Sequence, residues 1–232
     1  LKAKSQGLLT SDMWASFDLR IGGANIGEQM LGEGISRGLA RLPVIRQSNR
    51  AFGFFGDALR LEWADDMLRN ELALGKTVQQ LRDNGDLHRI AEITNNMTGY
   101  SHKRAGGALG DVALFAPRFL QARLSTISKA AMGLRPGATL DQRIARKTIL
   151  KTVGYSVLLT NLINWIQGRE TDYRLFVDGE MNPNFNRARI FGRDVSLLGP
   201  YDWIAKGIVL TGMGKPEEAI RPLLGPIART AW

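Results

Sequence analysis

Cysteine is absent from the 232 residues, which removes disulfides, iron–sulfur clusters, thiolate zinc and cysteine nucleophiles together. Histidine is almost absent. The two present, His88 and His102, lie fourteen residues apart with no third ligand at helical spacing, so a metal site is not expected. Aromatic residues make up 8% of the chain, and no tract alternates them with arginine as a base-stacking platform would require. No uncharged apolar run is long enough to cross a bilayer with ease. The longest, 152–168, covers about 25 Å as a helix against a hydrocarbon core of about 30 Å, and Asn161, Asn164 and Gln167 interrupt it. The first residues carry no secretory-type apolar core, and a start at Leu1 reads as a piece of a longer polypeptide.

Basic charge is what the chain has in excess. Lys and Arg number 31 against 22 Asp and Glu, for a net charge of +9 and a pI near 10.2. The excess lies entirely in the second part, since residues 1–99 hold 12 of each sign while 100–232 hold 19 basic and 10 acidic. Between Ser101 and Lys151 ten cations, Lys103, Arg104, Arg118, Arg123, Lys129, Arg135, Arg143, Arg146, Lys147 and Lys151, face only Asp111 and Asp141. Arg outnumbers Lys 22 to 9 overall, and a planar guanidinium suits phosphate on DNA or lipid. Binding of that kind is independent of sequence and sensitive to salt.

Periodicity predicts a mainly α fold, an irregular multi-helix assembly with one small β-hairpin near 173–197. Residues 12–41 read as a helix in which Gly23, Gly27, Gly34 and Gly38 stack for close helix packing. Ser48–Leu74 repeats Phe52, Phe55, Leu59, Trp63, Met67 and Leu74 at helical steps, with Asp65, Asp66, Glu71, Arg60 and Arg69 on a solvated side. Thr77–Asn95 reads as a shorter helix broken at Asn84 and Gly85. Lys147–Ile166 carries the strongest apolar signal, through Val157, Leu158, Leu159, Leu162, Ile163, Trp165 and Ile166. It reads as a buried core helix, with membrane contact as the other reading, favoured by the cations just before it. Tyr173–Val177 and Arg189–Leu197 alternate like strands, with Gly192, Arg193 and Asp194 as a turn. A helix follows Pro200 from Tyr201 to Leu210, and Pro216, Pro222 and Pro226 break the tail into short pieces. The expected organisation is a glycine-containing arm over 1–45, a helical core over 46–170, and a hairpin, short helix and proline-rich tail over 171–232.

No catalytic or cofactor motif survives inspection. Gly75-Lys76-Thr77 lacks the earlier glycine of a phosphate loop, which would fall at Asn70, and it follows a helix rather than a strand. Gly38 comes one residue too late after Gly32 and Gly34 for a dinucleotide fingerprint. There is no Gly-x-Ser-x-Gly elbow, and adjacent Asp65 and Asp66 point about 100° apart on a helix. No enzyme activity, cofactor or metal is expected.

Two stretches carry a family likeness: Asn96-Met97-Thr98-Gly99 through Gly106-Gly107 to Leu114-Phe115-Ala116-Pro117-Arg118-Phe119, and Arg189-Ile190 through Leu198-Gly199-Pro200-Tyr201-Asp202. Together they resemble the C-terminal portions of very large bacteriophage proteins, a group that includes polyvalent proteins and giant virion proteins delivered with DNA. The likeness spans roughly residues 45–230, and its motifs are short and structural. It implies a helical, non-catalytic segment of an internal virion protein that enters the host envelope and helps line a conduit for the genome. Other virion proteins, genomic DNA, a host membrane and further copies of the chain are the implied partners, with a location in the virion and then in the envelope. Pro117 and Arg118 carry over as a bend, with Pro117 ending or kinking a helix and Gly106, Gly107 and Gly110 allowing tight contacts before it. Two other readings stand beside this one: a membrane-active module inserting 152–168 with Trp203–Met213, and a non-catalytic helical domain of a polyvalent phage enzyme.

Overall fold

A computed structural model describes residues 8–22, 43–101 and 117–220. The chain is mainly helical, as its periodicity predicts, and carries two small antiparallel two-stranded sheets. In chain order the described helices are α1 (Ser11–Ser16), α2 (Pro43–Ala73), α3 (Val78–Asp83), α4 (Asp86–Met97), α5 (Pro117–Met132), α6 (Leu140–Ile166), α7 (Pro200–Gly212) and α8 (Pro216–Ile220). Between α6 and α7 lie β1 (Phe176–Val177), β2 (Glu180–Met181), β3 (Arg187–Ile190) and β4 (Arg193–Ser196). Packing divides the chain into unit 1, residues 1–146 with 225–232, and unit 2, residues 147–224. The last turn of α6 and the residue after it bond to the segment that follows, Asn164 to Arg187 and Gln167 to Arg189.

In unit 1 the core forms where α1 and the chain after it meet α2, α3 and α4, through Trp14, Phe17, Leu19, Leu61, Ala64, Leu68, Leu81, Leu87 and Ile90. The long helix expected over 12–41 ends at Ser16. Thr10 caps α1 by accepting from Met13 N, and Asp18 then turns the chain at a positive φ of 67° so that Phe17 and Leu19 both reach the core. Gly23, Gly27, Gly34 and Gly38 lie outside the described residues.

Helix α2 matches the expected span but rotates its buried side. Phe55 and Leu74 are exposed, while Leu61, Ala64 and Leu68 are buried beside Arg60, Asp65 and Glu71. The polar side expected to be solvated is therefore partly internal, and each of those three groups has a partner. Arg60 donates to Thr98 Oγ1 at 3.0 Å and pairs with Asp57 at 3.2 Å, Asp65 accepts from the Trp14 indole, and Glu71 pairs with Lys76 at 2.6 Å. Burial lowers the Arg60 pKa from its usual value, with Asp57 acting against that shift. Only Asp66 and Arg69 of the five form an exposed pair.

The break expected at Asn84 and Gly85 is present, separating α3 from α4. Thr77 and Gln80 close a reciprocal capping box at the start of α3. Asn95, on α4, holds the chain after α1 from both ends of its amide: Oδ1 accepts from Arg20 N at 3.0 Å and Nδ2 donates to Asp18 O at 2.8 Å. Pro117 opens α5, where its missing N–H costs nothing, and the residues before it, in which a helix would end or kink, lie outside the described residues.

In unit 2 the expected single hairpin is two in tandem. Val177 pairs with Glu180 around Asp178-Gly179, and Ile190 pairs with Arg193 around Phe191-Gly192. All four central residues have positive φ, the geometry that matches the twist of a tight hairpin. The second turn is centred on Phe191-Gly192, one residue before the one expected. Asn182 fixes the first hairpin by donating to Arg174 O at 2.8 Å, and Asp202 at the start of α7 ties to Lys206 at 2.9 Å and to Arg187 of β3 at 3.7 Å.

Candidate functional site

Unit 2 is turned inside out. Among its described residues the buried hydrophobic side chains are Ala188 and Ile204, while Ser156, Thr160, Asn164, Asn182, Asn186 and Asp202 are buried polar ones. Soluble units normally bury the opposite set.

Helix α6 shows the inversion most clearly. Ser156, Thr160 and Asn164 recur at steps of four and so share one face. That face points inward, with Asn164 only 2% exposed. The Asn164 amide donates to Arg187 O at 2.8 Å and to Thr171 Oγ1 at 3.1 Å, and its oxygen accepts from Arg189 N at 3.3 Å. Gln167 adds a bond to Arg189 O at 2.8 Å, so β3 is held along the end of the helix. Asn161 bonds to the Tyr173 hydroxyl.

The apolar residues face the other way. Leu158 is 61% exposed, Trp165 76% and Ile166 70%, with Tyr155, Leu159 and Leu162 also open to solvent. The reading of 147–166 as a buried core helix is corrected accordingly: Ser156, Thr160 and Asn164 occupy the inner side, where Asn164 bonds to the β3 backbone, and the apolar run covers the outer side. Val157 and Ile163 are half-buried at its margins.

Going toward the helix start, the same outer line continues at steps of three and four from Trp165 through Leu162, Leu158 and Tyr155 to Lys151 and Lys147. Both lysines are exposed, and neither forms an ion pair with a described residue. No acidic residue occurs between Asp141 and Glu170. The outer line is thus cationic at one end and apolar at the other.

A second element repeats this chemistry. At the tip of the β3–β4 hairpin Phe191 is fully exposed, at a φ of 50°, and exposed Arg189 and Arg193 flank it. A phenylalanine in the left-handed region is uncommon, and this one gains no packing in return.

The remaining cations of the expected phosphate-binding set are dispersed. Lys129 lies between Glu92 and Asp141, 2.7 Å from each, Arg146 donates to Gly133 O at 2.8 Å, and Arg123 stacks 4.8 Å over the Phe119 ring. Arg135 and Arg143 are exposed, Arg118 lies in the first turn of α5, and Lys103 and Arg104 fall outside the described residues. In unit 1 a cavity of about 420 Å³ is lined by His88, Asn95, Asn96, Tyr100, Gln121 and Ser125. Its amides already serve the fold, Asn95 holding the chain at 18–20 and Asn96 donating to Ser125 Oγ. No group of three His, Asp or Glu among the described residues is placed to hold a metal ion.

The four-residue spacing of Ser156, Thr160 and Asn164 was the sequence signal for the inner face, and Asp178-Gly179, a strong hairpin dipeptide, was the signal for the first turn. Nothing comparable marked Phe191. Compared with protein families, with curated proteins and with solved structures, the chain gives no match in any of the three.

Proposed function

We propose that this chain is a non-catalytic structural segment of a virion-delivered bacteriophage protein, which helps build or line a genome conduit at the host envelope and uses unit 2 as its contact surface. The observation that carries the reading is the inverted polarity of α6. Its polar residues Ser156, Thr160 and Asn164 are buried, Asn164 being bonded to β3, and its apolar ones are left outside, an arrangement that gains stability only when a further surface covers it. The family resemblance supplies the setting, with other virion proteins and further copies of the chain as neighbours. A second reading, sequence-independent contact with genomic DNA, is favoured by exposed Arg135, Arg143, Lys147 and Lys151.

Fractionation of bacterial cells that express the chain tests the first reading. Wild type is expected with the envelope. The double variant Leu158→Glu/Leu162→Glu is expected in the soluble fraction with unchanged far-UV circular dichroism. Folded wild type that stays soluble would overturn the proposal.

A further inference from the structure

The outer line of α6 has too few apolar residues to span a bilayer, and no described helix is long and apolar enough to cross one. Asn164 on its inner face is also bonded to the β3 backbone, so lipid cannot surround the end of the helix. A helix with one apolar side, cations on the same side and an internal polar seam suits a surface that is itself apolar beneath and anionic above.

We infer that unit 2 docks on an anionic lipid surface, with α6 in the plane of the headgroups, Leu158, Leu162 and Trp165 entering the acyl boundary, and Lys147 and Lys151 meeting lipid phosphates. This rests on the reading of unit 2 as the contact surface and names what covers it.

The charge pattern decides among occupants. A second copy laid on α6 would bring two lines with no acidic residue between 142 and 169, leaving the lysines opposite apolar side chains or each other. Duplex DNA would satisfy the cations and leave Leu158, Leu162 and Trp165 in water. An anionic bilayer satisfies both ends of the line. Trp165 ends the line with an indole, a side chain suited to the headgroup level.

Flotation of the whole chain with vesicles of phosphatidylcholine plus phosphatidylglycerol, and of phosphatidylcholine alone, tests the inference at low and high salt. Wild type is expected to float with the anionic vesicles and to retain part of that binding in high salt, because apolar burial is not screened. Lys147→Gln/Lys151→Gln should weaken low-salt binding about 30-fold, at the usual contribution of a cation near an anionic surface. Leu158→Glu/Leu162→Glu should abolish it while the circular dichroism is unchanged. Because the chain has no cysteine, an environment-sensitive dye on Leu162→Cys reports directly, and its emission should shift to the blue on anionic vesicles. Absence of flotation, complete release by salt, or flotation indifferent to Leu158→Glu/Leu162→Glu would each overturn the inference. A concentration-dependent dimer in sedimentation, lost in that variant and accompanied by no flotation, would also overturn it by giving the face to a second copy. Envelope association in cells without vesicle binding would sink the lipid inference alone and leave the proposed function standing.

Discussion

The indole Nε1 of Trp14 donates to Asp65 Oδ1 at 2.8 Å, with both side chains buried and 51 positions apart in the sequence. The bond joins α1 to the middle of α2, inside the apolar cluster of unit 1. A carboxylate is tolerated there because a donor is fixed in front of it, and the donor is fixed because the edge of the indole is packed near Phe17.

Trp14→Phe keeps a ring in the cluster and removes the donor, leaving Asp65 buried without it. The loss should be about 3 kcal/mol of unfolding free energy, the scale of a hydrogen bond to a charged group plus a smaller ring. Asp65→Asn keeps the acceptor and should cost about 1 kcal/mol. Urea denaturation of the two variants checks the order, and equal losses would mean that a neutral acceptor cannot replace the carboxylate.

Gly99 meets the side of Phe119. Its φ is 84°, and a Cβ built there would lie 2.7 Å from Phe119 Cδ2. Gly99→Ala should therefore lose more than Gly137→Ala, where φ is 76° but nothing lies within 4 Å. The control should cost about 1 kcal/mol from backbone conformation alone, and Gly99→Ala about 2 kcal/mol more. Adding Phe119→Leu to Gly99→Ala should recover part of the difference in a double-mutant cycle.

Gly99 stands at the end of a motif that was legible in the sequence, and its reason was not. Periodicity located α2, α4 and α7, because those helices keep their apolar spacing over two turns or more, and Asn84-Gly85 marked the break that separates α3 from α4. It assigned the wrong side of α2, since Phe55 and Leu74 are larger and more apolar than Ala64 and were given the core. Arg60 and Asp65 could be placed inside only by knowing that Thr98 and Trp14 come to meet them, a fact of tertiary structure. On α6 the apolar residues were visible and their direction was not. The helix follows its hydrogen-bonding partners in β3, which lie more than twenty residues further along the chain.

Lys129 brings Glu92 of α4 and Asp141 of α6 to one ammonium, 2.7 Å from each. Burial alone would raise the Asp141 carboxyl, but hydrogen bonds from Lys129 and Thr139 outweigh it and hold the group below its usual 3.8. A depressed folded-state pKa means that this contribution is fully present above the unfolded value and is lost as pH falls through the folded one. Asp141→Asn should therefore flatten the dependence of stability on pH below about 4. Lys129→Met should cost about 3 kcal/mol at neutral pH, by leaving Asp141 buried without its cation. Urea midpoints at neutral and acid pH separate the two effects, and parallel pH profiles for wild type and Asp141→Asn would remove Asp141 from the account.

The inversion of α6 reverses the ordinary ranking of substitutions. In most helices a leucine truncated to alanine is costly and an asparagine is not, since leucine is packed and asparagine is hydrated. Here Asn164 is buried and makes three hydrogen bonds to Thr171 and the β3 backbone, while Leu158 stands in solvent. Asn164→Ala should cost about 3 kcal/mol, because it leaves backbone groups of Arg187 and Arg189 without their partner and frees β3 from the helix. Leu158→Ala should fall within about 0.5 kcal/mol of wild type in plain buffer, as exposed positions do. Contact with anionic vesicles should then exchange the two roles. Leu158→Ala should lose binding in proportion to the apolar area removed, and Asn164→Ala should lose it only as far as unit 2 unfolds. If Leu158→Ala were instead the more destabilising change in buffer, the apolar side of α6 would be covered within the free chain, and the contact surface would have to be sought elsewhere.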